Sequence, residues 1–331
     1  MNIINKILAI LLDNIRFIII LLFLYFLFSF NLDYYVYSPG DLEDLKDRIV
    51  IDNSYESKGS FNLTYVTARD GNIPNIILSY IMPSWDLVKL DERRVSNESR
   101  EEILQRDKVY LKETSYDAII AAYKEAGLEY TIKNIDVVVT YVLDTADTDL
   151  KVGDIIQSIN GVTINTFDEL TNEKNKYKKD DKLKIVVKRN NKSVECYSIL
   201  YEEKDNVMIG VTLAELKNVE TNPKVEYVFK DNESGSSRGL MCALDIYNKI
   251  TEFDLTKGRK IAGTGSIDED GKVGSISGVK YKLIGAVKNK AEIFIVPEEN
   301  YEEVMKIKKE KKYKIEIIKA DTLHNVIEKL K

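Results

Sequence analysis

The chain contains one long apolar stretch, Phe17 to Leu32, in which no side chain is charged and almost every residue is Ile, Leu, Phe or Tyr. As a helix it would be about 24 Å long, compared with about 30 Å for the hydrocarbon core of a bilayer. Apolar residues before it, with Arg16 reaching the headgroups, can supply the missing length. The stretch therefore predicts a transmembrane helix and leaves the folded domains to the residues after it.

The flanking residues predict whether this helix is kept and how it is oriented. A signal-peptide cleavage site needs small residues at spaced positions, but the residues from Ser29 to Tyr35 are mostly large. Lys6 and Arg16 precede the helix, and acidic residues beginning at Asp33 follow it. By the positive-inside rule, we expect residues 1–33 to form a cytoplasmic tail and an uncleaved single-pass anchor in the cell membrane. The lipid bilayer would be a partner, and all later residues would be extracytoplasmic.

The composition argues against several classes of function. The 331 residues are 44% hydrophobic and 31% charged, which is ordinary for two or three globular domains. A net charge of −6 without a concentrated basic surface argues against nucleic-acid binding. His324 is the only histidine, so we expect no zinc centre, and we expect no other metal or cofactor. Cys196 and Cys242 are expected to be buried apolar residues rather than parts of a disulfide framework.

The residues from Asp231 to Met241 join a predicted strand to a predicted helix. Val225 to Phe229 alternates apolar and polar side chains, whereas Leu240, Leu244 and Tyr247 fall on one helical face. Glycines and serines lie between them. Such a junction can expose a hydroxyl at a helix N-terminus, where backbone N–H groups stabilise a developing negative charge. Taken alone, such a junction is more often a serine-rich helix cap without a catalytic role.

A second stretch, Ile261 to Ala286, has the pattern of a strand, a turn at Asp270-Gly271, another strand and a helix that carries Lys280 and Lys282. A triad that uses histidine would depend on His324 alone. A lysine is therefore the expected base if a serine is the nucleophile.

Together the two stretches resemble the proteolytic domain of Lon proteases, whose motifs are Gly-Pro-Ser-Ala-Gly, Thr-Gly-Glu and Gly-Gly-Leu-Lys-Glu-Lys. The resemblance covers roughly the last third of the chain. It places Ser237 between Gly235 and Gly239 as the nucleophile, and it places Lys282 as the catalytic base. Thr264 takes the threonine position. The implied chemistry is peptide-bond hydrolysis by a Ser-Lys dyad.

The resemblance also implies what each group does. Lys282 can accept the proton of Ser237 only when it is neutral, so burial must lower its pKa well below about 10.4. Thr264 would orient the amine, and backbone N–H groups around Ser236 and Ser237 would hold the oxyanion.

This chain departs from the family motifs at Ser234, Ser236, Arg238, Ser266 and Ser277. A cation in the first helical turn opposes the helix dipole, although it would also favour an oxyanion and a neutral lysine. Ser234 and Ser236 remain rival hydroxyls.

A different module is expected between residues 131 and 204. Its run from Lys151 to Gly161 resembles that of PDZ domains of the bacterial protease type, and Asn190-Asn191 predicts a hairpin turn. Such domains bind an extended peptide as an added strand. The groove would lie along Val137 to Val142, but Asn134 to Asp136 stands where the carboxylate loop usually has glycine. A purely structural module is therefore an equal alternative.

The predicted fold is α/β (α+β): the anchor, an α/β segment at 34–130, the PDZ-like module at 131–204 and the Lon-like domain at 205–331. Residues 98–110 and 116–127 are predicted to be two helices, and the 34–130 segment could be the first part of the protease fold. Gly265 to Lys272 is better interpreted as a hairpin than as a phosphate loop.

The predicted function is an ATP-independent serine endopeptidase whose substrates are proteins or peptides with flexible tails. By analogy with Lon, a homo-oligomeric ring is conceivable. The alternatives are a non-catalytic anchored PDZ adaptor and a protease that processes itself near its anchor.

Overall fold

The structure is a computed structural model that describes residue 3 and residues 10–92, 97–204, 206–230 and 233–331. The α-helices of the described residues are α1 Ile15–Ser29, α2 Ile73–Ile81, α3 Arg100–Ala126, α4 Phe167–Lys174, α5 Gly239–Ile250, α6 Val279–Lys288, α7 Glu298–Lys311 and α8 Leu323–Leu330.

The strands of the same residues are β1 Asn31–Asp44, β2 Ile49–Ile51, β3 Ser60–Asn72, β4 Asp86–Lys89, β5 Tyr130–Val142, β6 Asp147–Thr148, β7 Ile155–Ile159, β8 Val162–Thr163, β9 Lys182–Arg189, β10 Lys192–Ile199, β11 Tyr201–Glu203, β12 Asn206–Met208, β13 Val211–Thr221, β14 Val225–Tyr227, β15 Lys260–Gly263, β16 Ser266–Ile267, β17 Val273–Gly274, β18 Ile293–Pro297 and β19 Glu316–Ala320. The chain divides into two units, Met1–Pro39 with Val66–Arg93 and Gly40–Tyr65 with Arg94–Lys331.

The first unit holds the predicted anchor, whose helix is shorter than expected. α1 ends at Ser29, and Asn31 and Leu32 begin β1 instead of completing the helix. Two residues later, β1 pairs antiparallel with β4, from Tyr34↔Lys89 to Tyr37↔Asp86. Within the described residues, no helix is both long enough and apolar enough to qualify as a membrane span. Lys6, used in the orientation argument, lies outside them.

The second unit is built on parallel strands in the order β3, β15, β18 and β19. Parallel strands are usually covered on both faces, and β18 is buried along its whole length. Ile293 and Ile295 pack in one cluster with α3, α5 and α8, whereas Phe294 and Val296 pack in another with α6 and α7. This alternation confirms a mixed α/β architecture with helices on both faces of the sheet.

The helix α5 lies in the middle of this core. A helix with one apolar face was predicted here, but every residue from Gly239 to Asn248 is buried. Its main partner is α3, which is one continuous helix rather than two. The polar pair Thr114-Ser115 lies within α3, and the Ser115 hydroxyl donates to the Leu111 carbonyl one turn earlier at 2.6 Å.

The PDZ-like module has its own sheet and its own core. Its strands follow the order β13, β5, β7, β9, β10 and β6, and the small strand β8 pairs with β7. The predicted turn between β9 and β10 is present, with Asn190 and Asn191 both at positive φ. Asp154, which is almost fully buried, is paired with Arg189 at 2.6 Å. The smaller pairs are β2 with β14, β11 with β12 and β16 with β17.

Candidate active site

The loop between β14 and α5 carries the predicted nucleophile. Its two glycines are each required, but for different physical reasons. Gly235 has φ +89°, a conformation that other residues rarely adopt, and its N–H donates to the Asp107 carbonyl on α3 at 2.8 Å. At Gly239 a Cβ would come within 2.3 Å of the Thr114 hydroxyl, so only glycine lets α5 begin this close to α3.

Three predicted site residues are brought together by hydrogen bonds. The Lys282 Nζ donates to the Thr264 Oγ1 at 3.0 Å. The Thr264 hydroxyl in turn donates to the Ser237 carbonyl at 3.1 Å, and the Gly265 N–H donates to the same carbonyl at 3.0 Å. Thr264, at the end of β15, thus connects the nucleophile loop to the lysine of α6.

The lysine has an environment that suits a base. Lys282 is only 4% exposed, and this burial lowers its pKa to about 7 because the ammonium loses its hydration. Near neutral pH a large fraction of Lys282 is therefore uncharged. A neutral amine can donate to Thr264 and still offer a lone pair to a neighbouring hydroxyl.

Backbone donors are available at the start of α5. Arg238 is the N-cap residue, and no side chain caps the helix. In the described part of the chain, the N–H groups of Ser236, Ser237 and Arg238 make no hydrogen bond. Unpaired donors at a helix N-terminus form a site for a negatively charged oxygen.

The three candidate hydroxyls differ in exposure. Ser237 and Ser236 are half-buried, and Ser234 is exposed. Only Ser237 is joined to Thr264, through its carbonyl.

Arg238, the most unusual departure from the family motif, is held by groups that the sequence did not indicate. It forms an ion pair with Glu233 at 2.8 Å and lies 5.3 Å from the centre of the Phe229 ring. Glu233 also pairs with Arg48, from the loop between β1 and β2. The charge of Arg238 is therefore matched locally, and the lowered pKa of Lys282 follows from burial rather than from Arg238. Glu233 and Phe229 are near Arg238 in the sequence, but the irregular loop between them has no periodicity that predicts the pairing, and Arg48 comes from a distant segment.

The other interpretations of single residues have clear outcomes. Gly265 to Lys272 forms the β16–β17 hairpin with Gly271 at φ +79°, as predicted. His324 is an exposed residue paired with Glu125 at 2.8 Å, away from the serine loop's contacts. Cys196 and Cys242 are both free and buried, as predicted.

The prediction of a peptide groove along Val137 to Val142 is wrong, because this part of β5 offers no open edge. β13 pairs antiparallel with β5 from Val211↔Val142 to Thr221↔Tyr130, and β7 pairs with Val137 and Val138 on the other side. The sequence of β13 gave no sign of this pairing, because a strand's partner is set by tertiary contacts.

Comparison with known proteins assigns both domains. Residues 198–331 match the Lon protease (S16) C-terminal proteolytic domain, and residues 113–197 match the PDZ domain family. Over these residues the chain is similar to a Lon-type proteolytic domain and to a PDZ domain. Such matches support a serine peptidase and suggest peptide binding.

Curated Lon proteases are among its relatives. The Lon protease of Campylobacter jejuni is 44% identical over 97 residues, which cover 29% of this chain and 12% of that protein. The Lon protease of Mesomycoplasma hyopneumoniae is 33% identical over 94 residues, which cover 28% of this chain and 11% of that protein. The chain thus matches about a tenth of the length of these relatives.

Among solved structures, the PDZ domain of the SdrC-like protein from Listeria monocytogenes is 29% identical, with a TM-score of 0.22. The matched region covers 23% of this chain and 85% of that domain.

Proposed function

We propose that this protein is a serine endopeptidase in which Ser237 is the nucleophile and Lys282 is the general base. The observation that supports this most strongly is the buried lysine whose Nζ is hydrogen-bonded to Thr264, which is itself bonded to the Ser237 backbone. Neither contact is needed for an inert helix cap, and burying an unpaired lysine is costly unless the amine is neutral.

In the proposed reaction, neutral Lys282 takes the proton of the Ser237 hydroxyl as its Oγ attacks the peptide carbonyl. Thr264 holds the amine by accepting one of its N–H groups, which leaves the lone pair for the serine. The N–H groups of Ser236, Ser237 and Arg238, just before α5, receive the oxyanion. The ammonium of Lys282 then protonates the leaving amine. In the second half, neutral Lys282 takes a proton from water as the water attacks the acyl-enzyme, and it returns that proton to the departing Ser237 Oγ.

The Lon-type domain is proposed to begin before the module. Two contacts support this: β3 pairs in parallel with β15, from Ser60↔Lys260 to Leu63↔Gly263, and α3 packs against α5 in one core. The PDZ domain would then be inserted between α3 and β13. We propose ATP-independent cleavage of flexible protein or peptide tails, since a folded substrate would need separate unfolding. A homo-oligomeric ring is proposed by analogy with Lon.

We also propose that α1 anchors the protein in the membrane, with the catalytic domain extracytoplasmic. No residue of α1 is buried, and its large apolar side chains are exposed on all sides. Residues 10–13 are helical as well, which extends the apolar segment toward the N-terminus. Treating intact cells with an external protease tests this proposal. Protection of the bulk of the chain would exclude the extracytoplasmic topology.

Serine-directed labelling tests the enzyme proposal. A fluorophosphonate probe should label the wild-type protein, and Ser237→Ala should abolish both labelling and cleavage of unfolded casein. Ser236→Ala and Ser234→Ala are matched controls in the same loop, and both should retain labelling. Labelling that survives Ser237→Ala but is lost in either control would identify a different nucleophile. A folded wild-type protein that is never labelled and never cleaves casein would favour the non-catalytic adaptor.

A further inference from the structure

The strand β13 continues the sheet of the PDZ domain. An extended peptide binds such a domain by adding a strand to a sheet edge, antiparallel to its neighbour in the common mode. β13 has this geometry on β5, and its register covers the whole of β5 with two local shifts. The edge that a peptide would use is therefore filled by a segment of the same chain.

Apolar side chains of β13 pack on both of its faces. Val211 and Leu213 pack against the core of the PDZ domain. Ala214 and Leu216 face the other way and form a small buried cluster with Val109 of α3. A peptide ligand usually packs on one domain only, whereas β13 is held between the PDZ domain and a helix of the proteolytic core.

Polar contacts tie β13 to two elements of the PDZ domain, β5 and α4. The Thr212 and Thr140 hydroxyls lie 2.8 Å apart, which links β13 to β5. A carboxylate oxygen of Glu215 accepts the backbone N–H of Phe167, the first residue of α4, at 2.5 Å. The helix dipole at the N-terminus of α4 also stabilises the Glu215 carboxylate.

The same strand reaches the catalytic side of the molecule. Lys217 of β13 pairs with Glu269 at 2.6 Å, and both side chains are partly buried. Glu269 lies in the hairpin between β16 and β17, and β16 starts two residues after Thr264. Glu113 and Asp117 of α3 also interact electrostatically with Lys217. These groups line an open cleft of about 420 Å³, in which Lys217 is the basic member of a largely acidic lining.

We propose that β13 is the permanent occupant of the peptide-accepting edge of the PDZ domain. In this arrangement the domain braces the hairpin beside Thr264 through Lys217, and it does not capture external peptides along β5. The occupancy is independent of the proposed peptidase activity, and only the effect of the brace on cleavage depends on that activity.

A reversible strand lock tests the occupancy. The double variant Thr140→Cys with Thr212→Cys places two thiols where two hydroxyls now touch, and the chain's own cysteines are buried. The oxidised lock should cleave casein at the wild-type rate, and reduction should not change that rate. Slower cleavage that reduction restores would mean that β13 must leave the edge during function, and it would overturn the proposal.

A labelled synthetic copy of residues 211–221 provides a test that needs no enzymatic activity. Fluorescence polarisation should show no saturable binding of this peptide to the full-length wild-type protein. Saturable binding that the oxidised lock abolishes would show that the peptide can replace β13 at the β5 edge, and it would overturn the proposal. If the wild-type protein proves inactive on every substrate, the proposed function fails, but this binding result still decides the occupancy.

Two lysine variants test the brace. Lys217→Met keeps the length of the side chain but removes the ion pair with Glu269, and we expect a severalfold lower kcat on a short peptide with KM unchanged. Lys224→Met, which removes an exposed ion pair with Glu226, is the matched control and should leave kcat unchanged. Equal kcat values for Lys217→Met and the wild type, with both proteins folded, would exclude the brace.

Discussion

Replacing Lys282 by Met tests the physical basis of the active site. In the folded protein, burial lowers the pKa of Lys282 from 10.5 to about 7, whereas the unfolded chain keeps the ordinary value. Between pH 7 and pH 10.5 the folded state therefore binds fewer protons than the unfolded state. Under this linkage, the contribution of Lys282 to the free energy of unfolding rises with pH through that window, and it is lowest below pH 7.

The size of the effect follows from the same two values. At about 1.4 kcal/mol per pH unit, the interval from 10.5 to about 7 corresponds to about 5 kcal/mol, of which about 4 kcal/mol still opposes folding at pH 7. Methionine has a similar length and no charge, so it removes this cost. It also removes the hydrogen bond to Thr264, worth about 1 kcal/mol. We therefore expect Lys282→Met to be inactive, yet about 3 kcal/mol more stable than the wild type at pH 7.

Urea unfolding at pH 7 and at pH 9.5 measures this prediction. The stability advantage of Lys282→Met should shrink at pH 9.5, and comparing the two proteins cancels other titrating groups such as Asp117. Lys280→Met, in the same helix, is the control and should keep the wild-type pH dependence. The wild-type kcat/KM should rise with pH through about 7 as the amine loses its proton. Equal stabilities at pH 7, or an activity that rises only near pH 10, would refute the buried neutral base.

Substitutions at three further positions have defined outcomes. Thr264→Val should stay folded but lose about 100-fold in kcat, because the Lys282 amine is no longer positioned. Thr264→Ser, which keeps the hydroxyl, should restore activity. Full activity of the valine variant would contradict the orienting role. Glu233→Gln removes the carboxylate shared by Arg48 and Arg238, although Arg48 keeps its ion pair with Glu43. Unfolding in urea should therefore show a loss of about 1–3 kcal/mol and labelling of Ser237 should slow, whereas unchanged values would show that the pairing is incidental. Gly239→Ala should cost about 1–3 kcal/mol in the same assay because its Cβ would meet Thr114, and a neutral result would mean that α3 can move away.

Local patterns predicted the parts of the fold that depend on neighbouring residues. The turns at Asn190-Asn191 and Asp270-Gly271, and a helix that begins within residues 231–241, were predicted correctly, because each depends on backbone conformations within a few residues. The order of the motifs also indicated Thr264 and Lys282 as partners. Their hydrogen bond agrees with that expectation, and the catalytic roles remain predictions.

Errors arose where a distant segment decided the local outcome. A break was predicted in the middle of α3, but packing against α5 favours one long helix. The apolar stretch was expected to be helical to Leu32, but α1 ends at Ser29 and the last residues of the stretch belong to β1, which pairs with β4 from Tyr34 onward. The β5 edge looked free because β13 lies about 80 residues later in the sequence.

The sequence by itself determined the chemical inventory: a serine between two glycines, one histidine that makes lysine the expected base, and an apolar segment before the first domain. Only the tertiary structure decided which lysine is buried enough to have a pKa of about 7, which carboxylate neutralises Arg238 and which strand fills the β5 edge. The physical reason is that burial, charge pairing and strand pairing depend on groups that folding brings together from distant segments, whereas residue type and turn geometry are set locally.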